Sequence, residues 1–190
     1  MPHVVILAGP SGSGKSHLSE RLGWTVLRLD DFYHPADHPE LPLSTLGIAD
    51  WDHPGSWDRA AAMRAINELC TVGRTQVPVY DISVSRATGT REVVLTGDRF
   101  IAEGLFATEI IDDCREAGVL DAAICLTRPR PLVFALRLAR DLRESRKPPV
   151  TLVRRGWRLM KDQPRVIAEA VAAGCVPMHP RQAYRALTSR

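Results

Sequence analysis

The sequence predicts an α/β fold, a three-layer sandwich with a mostly parallel sheet, helices on both faces and a lid segment. Three observations predict it. The first is a strand, glycine loop and helix in direct succession. His3-Val4-Val5-Ile6-Leu7-Ala8 is apolar and β-branched, Gly9-Pro10-Ser11-Gly12-Ser13-Gly14-Lys15-Ser16 is the loop, and residues 16–22 have helical character. The second is that short apolar runs alternate with helical segments along the chain, the order of a parallel sheet covered on both faces. The third is that three of the expected strands end in chemistry: the glycine loop, Asp30 and Glu103. Ligands of such sheets gather at the carboxyl ends of the strands.

Each element follows in order. A helix over 15–23 ends at Gly23, because glycine takes the left-handed cap at no steric cost. Residues 25–29 form a second strand that runs into Asp30-Asp31-Phe32-Tyr33. Residues 34–56 are rich in Pro, His, Asp and Gly and form a long irregular segment, a feature that usually carries function. Ser56 is expected to cap a helix over 57–71, ended near Gly73. Residues 76–80 and 92–95 read as strands flanking a turn around Thr88-Gly89. A short buried strand over 99–102 ends at Glu103-Gly104, and a helix follows to about 117. Residues 122–126 are another core strand, and 129–144 a helix. The polar stretch 143–149 contains Pro148 and Pro149 and breaks it. A further helix covers 151–173, with one more short strand near the end.

Length and composition bound the reading. A chain of 190 residues accommodates one α/β domain, 1–190, with an acceptor-binding insertion at about 31–58 and a lid at about 141–150. Hydrophobic residues at 45% and charged residues at 25% exclude a disordered chain. A net charge of +3 is too small to argue for nucleic acid by itself. Cys70, Cys114, Cys125 and Cys175 are scattered through apolar stretches with no C-x-x-C pair, which reads as free thiols in a reduced compartment. No signal segment precedes the first strand and no apolar run approaches the ~20 residues of a membrane span. The expectation is a cytoplasmic protein without a membrane partner. A homo-oligomer is left open.

The loop fits G-x-x-x-x-G-K-[ST], and its setting between strand and helix gives the pattern a mechanism. Gly9, Pro10, Ser11, Gly12, Ser13 and Gly14 turn backbone N–H groups around phosphates, and the helix N-terminus adds its positive end. Lys15 reaches the β- and γ-phosphates of a nucleoside triphosphate, and the Ser16 hydroxyl can coordinate Mg²⁺. This is the phosphate loop of a P-loop NTPase. Asp30 closes the neighbouring strand, where a carboxylate can take the proton of an attacking hydroxyl. Glu103 ends a third strand and supplies a hard oxygen for Mg²⁺ or its waters. Arg137, Arg140 and Arg143 recur at helical spacing just before the Pro-Pro break, a pattern suited to neutralising a transferring phosphoryl group from a lid. His34, His38 and His53 lack strict ligand spacing and read as loop histidines. Trp51 and Trp57 fit core packing or a pocket wall.

These residues resemble the uridine kinase-like branch of the P-loop kinases over roughly residues 4–165. Asp30-Asp31-Phe32-Tyr33 is similar to the family's D-x-F-Y, which implies Asp30 as general base. Asp52-His53-Pro54-Gly55-Ser56-Trp57-Asp58 is similar to D-H-P-x-x-[FW]-D, which implies that Asp52 holds ribose hydroxyls. Val79-Tyr80-Asp81 matches V-Y-D and places Tyr80 beside the acceptor. Glu103-Gly104 resembles E-G, and Arg140-Asp141 the R-D entry to the lid. The base-reading part departs from the family. Its Phe is Ile82 here, its His is Ser85, and the lid's E-R-G-R is Glu144-Ser145-Arg146-Lys147.

The resemblance implies an ATP-dependent small-molecule kinase using Mg²⁺, with a nucleoside as the first acceptor class. Two alternatives stand beside it. One is a P-loop kinase for a small alcohol or sugar. The other is an NTPase module acting on nucleic acid through the Arg-rich C-terminal half, which the acceptor loop and the lack of aromatic-basic interleaving disfavour.

Overall fold

The central sheet has five strands in the order β2-β5-β1-β6-β7. They are β1 (His3–Ala8), β2 (Thr25–Arg28), β5 (Arg99–Glu103), β6 (Leu120–Leu126) and β7 (Val176–Met178). β2 pairs parallel with β5 and β6 parallel with β7. The structure is a computed structural model that describes the backbone of residues 1–143 and 149–189 and the side chains of 1–139 and 156–189. The α/β class expected from the sequence is present, a mostly parallel sheet with helices. Of the expected lid at about 141–150, residues 144–148 and all the side chains lie outside the described residues, as does the side chain of Arg140.

Burial explains the strand order. Val4, Val5, Ile6 and Leu7 are fully buried, as are Phe100, Ile101 and Ala102, so β1 and β5 are inner strands with both faces covered. β7 is an edge strand, and its Pro177, which has no N–H to donate, is tolerated there and blunts that edge.

The chain divides into two compact units, Met1–Ile6 with Trp24–Ala123, and Leu7–Gly23 with Ile124–Arg190. The first unit holds β2, β5, α2 (Arg59–Val72), α3 (Ile111–Glu116) and a separate antiparallel pair, β3 (Arg74–Asp81) with β4 (Arg86–Val94). α2 starts two residues later than expected. Asp58, not Ser56, is its cap, accepting from the Ala61 N–H at 2.8 Å, while Ser56 closes a 3-10 turn. The hairpin turn also differs. Thr88 and Gly89 lie inside β4, and the chain reverses at residues 82–85, with Ser85 at φ 49°. Asp81 builds that turn by accepting from the Ser83 N–H and hydroxyl at 2.8 and 2.6 Å, an Asx arrangement.

The second unit holds α1 (Lys15–Leu22), α4 (Arg130–Arg143), α5 (Pro149–Ala172), β7 and α6 (Pro180–Thr188). α6 is an addition to the expected elements. His179 caps it, with Gln182 closing the reciprocal bond and Pro180 at the first helical position. Among the described residues no helix is long and apolar enough to cross a membrane.

All four cysteines are free and buried. Burial pushes the Cys114 and Cys175 thiols up to about 12. The thiolate is the reactive form, so the native protein should resist alkylation at neutral pH. Iodoacetamide followed by mass spectrometry is expected to leave all four unmodified until urea is added. Labelling of Cys114 or Cys175 in the native protein would contradict this packing.

Candidate active site

The phosphate loop lies wholly within the second unit. Gly9, Gly12 and Gly14 have φ of 129°, 88° and 101°, a region L side chains rarely enter. Space forbids a side chain as well. A Cβ on Gly9 would sit 2.6 Å from the Leu126 carbonyl oxygen, and one on Gly12 3.2 Å from that of Val133 and 3.3 Å from Arg137 Cβ. The first places the loop against the end of β6, the second against α4. Gly14 caps α1 with no side-chain oxygen, and α1 has no acidic residue in its first turn. The leading N–H groups of the helix therefore have no competing side-chain anion, the arrangement that suits phosphate.

Lys15 is half-buried, and its Nζ donates to the Gly9 carbonyl at 2.7 Å and the Pro10 carbonyl at 3.5 Å. Ser16 follows at the exposed start of α1. Arg128, two residues past β6, braces the loop by donating from Nε to the Ser13 carbonyl at 2.8 Å. Its own carbonyl accepts from Gln163 Nε2 at 2.8 Å. Beside the loop is a cavity of about 500 Å³ lined by His17, Leu18, Arg21, Arg128, Leu132, His179, Pro180 and Arg181. Its polar lining is all basic or imidazole, so it favours an anionic ligand. Sequence reasoning missed these residues. The rule that ligands sit at strand carboxyl ends could have found Arg128 and His179, which follow β6 and β7.

The first unit carries Asp30, Asp52, Tyr80 and Glu103, while Arg137 and Arg140 belong to the second. Asp30 is exposed, at the start of a 3-10 turn over Leu29–Phe32 that continues β2. Its Oδ1 accepts from the Leu105 N–H at 2.8 Å. Gly104 permits this approach, because a Cβ there would lie 2.7 Å from the same oxygen. The E-G pair at the end of β5 therefore has a steric reason in its glycine. Glu103 precedes it, half-buried at the end of β5. The turn is held by Trp57, whose Nε1 donates to the Leu29 carbonyl at 2.7 Å and whose ring is buried.

Tyr33 is the centre of an aromatic cluster. Its ring lies 5.8 Å from each of Trp51, Tyr80 and Phe106. Its hydroxyl donates to the Trp51 carbonyl at 3.2 Å. Burial, then the negative charges of Asp30 and Asp52, push its phenol above the ordinary tyrosine range. The hydroxyl's bond to Trp51, the residue before Asp52, brings the D-x-F-Y turn and the Asp52 segment together. Tyr80 reaches the same cluster from β3 and donates from its hydroxyl to the His34 carbonyl at 3.1 Å. His34 and His38 stack at 4.0 Å, and burial followed by the neighbouring His38 lowers the His34 pKa.

Comparison with known proteins gives the same direction. No family model matches the chain. A uridine kinase of Bacillus cereus (strain AH187) is 26% identical over 148 residues, covering 75% of this chain and 68% of that protein. The chain resembles the uridine kinase-like P-loop kinases. Among solved structures, a Silicibacter sp. TM1040 protein described as a candidate fructose transport system kinase matches with a TM-score of 0.58 at 22% identity, over 85% of each chain. The phosphoribulokinase of Rhodobacter spheroides matches with a TM-score of 0.52 at 15% identity, over 90% of this chain and 67% of its own. These two likenesses establish the fold.

The resemblance to P-loop kinases implies Mg²⁺. The ion keeps several waters and binds through one or two protein oxygens plus substrate phosphates. Ser16, exposed at the start of α1 in the second unit, and Glu103, at the end of β5 in the first, each by itself offers an oxygen of that class. Among the described residues no group of three or more His, Cys, Asp or Glu forms a dedicated cage.

Proposed function

We propose that the chain is an ATP-dependent phosphotransferase that moves the γ-phosphate to a hydroxyl of a small molecule, with nucleosides as the first acceptor class. The observation that carries this reading is the Tyr33 cluster, where the turn that carries Asp30 meets the segment that carries Asp52 through the Tyr33 hydroxyl on the Trp51 carbonyl, among three further aromatic rings. A protein that only hydrolysed nucleotide would need no such cluster. In this reading Gly9, Pro10, Ser11, Gly12, Ser13 and Gly14 wrap the donor's phosphates with N–H groups. Lys15 leaves the loop carbonyls for the β- and γ-phosphates, and Arg137 and Arg140 meet the charge that develops on the moving group. The basic cavity beside the loop takes the rest of the donor nucleotide. Ser16 and Glu103 would hold Mg²⁺, which supplies charge neutralisation for the phosphates. Asp30 accepts the acceptor's proton, Asp52 holds its vicinal hydroxyls, and Tyr80 packs against its ring.

A small sugar or alcohol is the second reading, favoured by Ile82 and Ser85. Ile82 is 84% exposed at the hairpin tip, and neither residue supplies the aromatic face and imidazole that the resemblance attaches to a pyrimidine. A site lacking a base-specific hydrogen bond discriminates poorly. Uridine is therefore expected to be a poor acceptor.

The test is a screen of nucleosides and small sugars for acceptor-dependent ADP release. On the best acceptor, Asp52→Asn is expected to raise the acceptor KM at least about tenfold with kcat little changed, because that contact exists before the reaction. No acceptor-dependent turnover from any compound would overturn the kinase reading. Efficient uridine phosphorylation would overturn the expectation about uridine while keeping the kinase.

A further inference from the structure

Directly beside Asp30 a buried carboxylate bridges two guanidinium groups. Asp31 has a side-chain exposure of 8%, and its Oδ2 lies 3.3 Å from Arg28 Nη2 and 3.1 Å from Arg91 Nη2. Arg28 Nε also donates to that oxygen at 3.3 Å. The two arginines come from different elements. Arg28 ends β2, and Arg91 stands in β4 opposite Val77 of β3. Arg91 Nε is itself buried with no hydrogen-bond partner among the described residues, so Asp31 is the partner the structure records for that guanidinium.

A turn does not require this. Asp at a strand end ordinarily faces water and satisfies local N–H groups. A carboxylate taken out of water needs close counter-charges to be tolerated, and two are supplied here. Their effect is mechanical. The 3-10 turn is held at two successive residues, Asp30 by the Leu105 N–H at 2.8 Å, and Asp31 by strand β2 and hairpin β3–β4. The same hairpin carries Tyr80, whose ring lies in the Tyr33 cluster, and Ile82 and Ser85 at its tip.

We propose that Asp31 is a positioning residue. The Arg28–Asp31–Arg91 bridge fixes the β3–β4 hairpin to the turn that carries Asp30, so that an acceptor held by the hairpin presents its hydroxyl to the Asp30 carboxylate. The inference rests on the reading of Asp30 as the acceptor's base. It assigns Asp31 no contact with substrate. Its loss leaves two guanidinium groups facing each other without a counter-charge, and the hairpin shifts on the turn. Displacements near 1 Å of a reacting group can cost about 10²-fold in rate.

The experiment is steady-state kinetics with ATP and whichever of uridine, cytidine, adenosine, D-ribose and D-fructose gives the highest turnover. Asp31→Asn and Arg91→Gln are each expected to lower kcat about 10–100-fold, with the KM for ATP within about twofold of the parent. The double variant is expected to be no worse than either single one, because both remove the same bridge. Arg91→Lys, which keeps a cation for the single Nη2 contact, is expected to recover most of the rate. A merely structural role would lower the melting temperature but leave kcat intact in the folded protein. Should Asp31→Asn fail to fold, Arg91→Gln and Arg91→Lys carry the same comparison. A kcat within twofold of the parent in Arg91→Gln, or effects that multiply in the double variant, would overturn the proposal. Asp30→Asn run in parallel separates the two claims. Unchanged turnover there sinks the base assignment, whereas the bridge is judged on the coupling between Asp31 and Arg91.

Discussion

Lys15→Ala is expected to reduce acceptor-dependent ADP release at least about 10²–10³-fold, the cost of removing one pre-placed charge donor from a phosphoryl transfer. The fold should survive. Lys15 is half-buried and its Nζ bonds two loop carbonyls. Losing such bonds costs about 1 kcal/mol. Circular dichroism and a melting curve on the purified variant give the control, and turnover gives the result. Parental turnover in a folded Lys15→Ala protein would end the phosphate-loop assignment. A protein that no longer folds would show that the lysine serves the loop's structure instead.

The second large effect concerns Asp30. Asp30→Asn keeps the side-chain oxygen that accepts from the Leu105 N–H, so the turn and its fit against Gly104 are retained. What is lost is the ability to take a proton. The expected result is a drop in kcat of about 10²–10⁴, the range for loss of a general base, with the acceptor KM little changed. Asp52→Asn should do the reverse. A variant pair that moved the same constant by the same factor would mean that the two carboxylates do not have separate roles.

Much of this molecule was legible in its sequence because the informative features are local. β1 and β5 are apolar on both faces, and the glycine loop between β1 and α1 leaves few alternatives. The misplaced boundaries have identifiable causes. Ser56 and Asp58 are both good caps, and the choice fell to Asp58 because Trp57 must first bury its ring and reach the Leu29 carbonyl. Thr88-Gly89 drew the turn assignment by its glycine, while the Asx turn at Asp81 and Ser83 was a weaker local signal. α6 went unread because its cap is a histidine, outside the usual Ser, Thr, Asp and Asn. The Asp31 bridge could not be read at all. Asp31 and Arg91 stand 60 positions apart, and nothing in either neighbourhood announces the other.

The β3–β4 hairpin forms a two-stranded sheet of its own, apart from the five-stranded sheet. It is fastened near its base by the Thr25 hydroxyl to the Val94 carbonyl at 3.1 Å, and midway by Arg91 on Asp31. Its tip, with Ile82 in solvent, carries no share of the hydrophobic core. Natural selection can therefore rewrite the tip at little thermodynamic risk, while the glycine loop and the Asp30 turn stay under tight steric control. On the proposed reading the tip would set selectivity and the Asp30 turn catalysis, in separately mutable parts of the chain, so a lineage could exchange one acceptor for another without passing through unfolded ancestors.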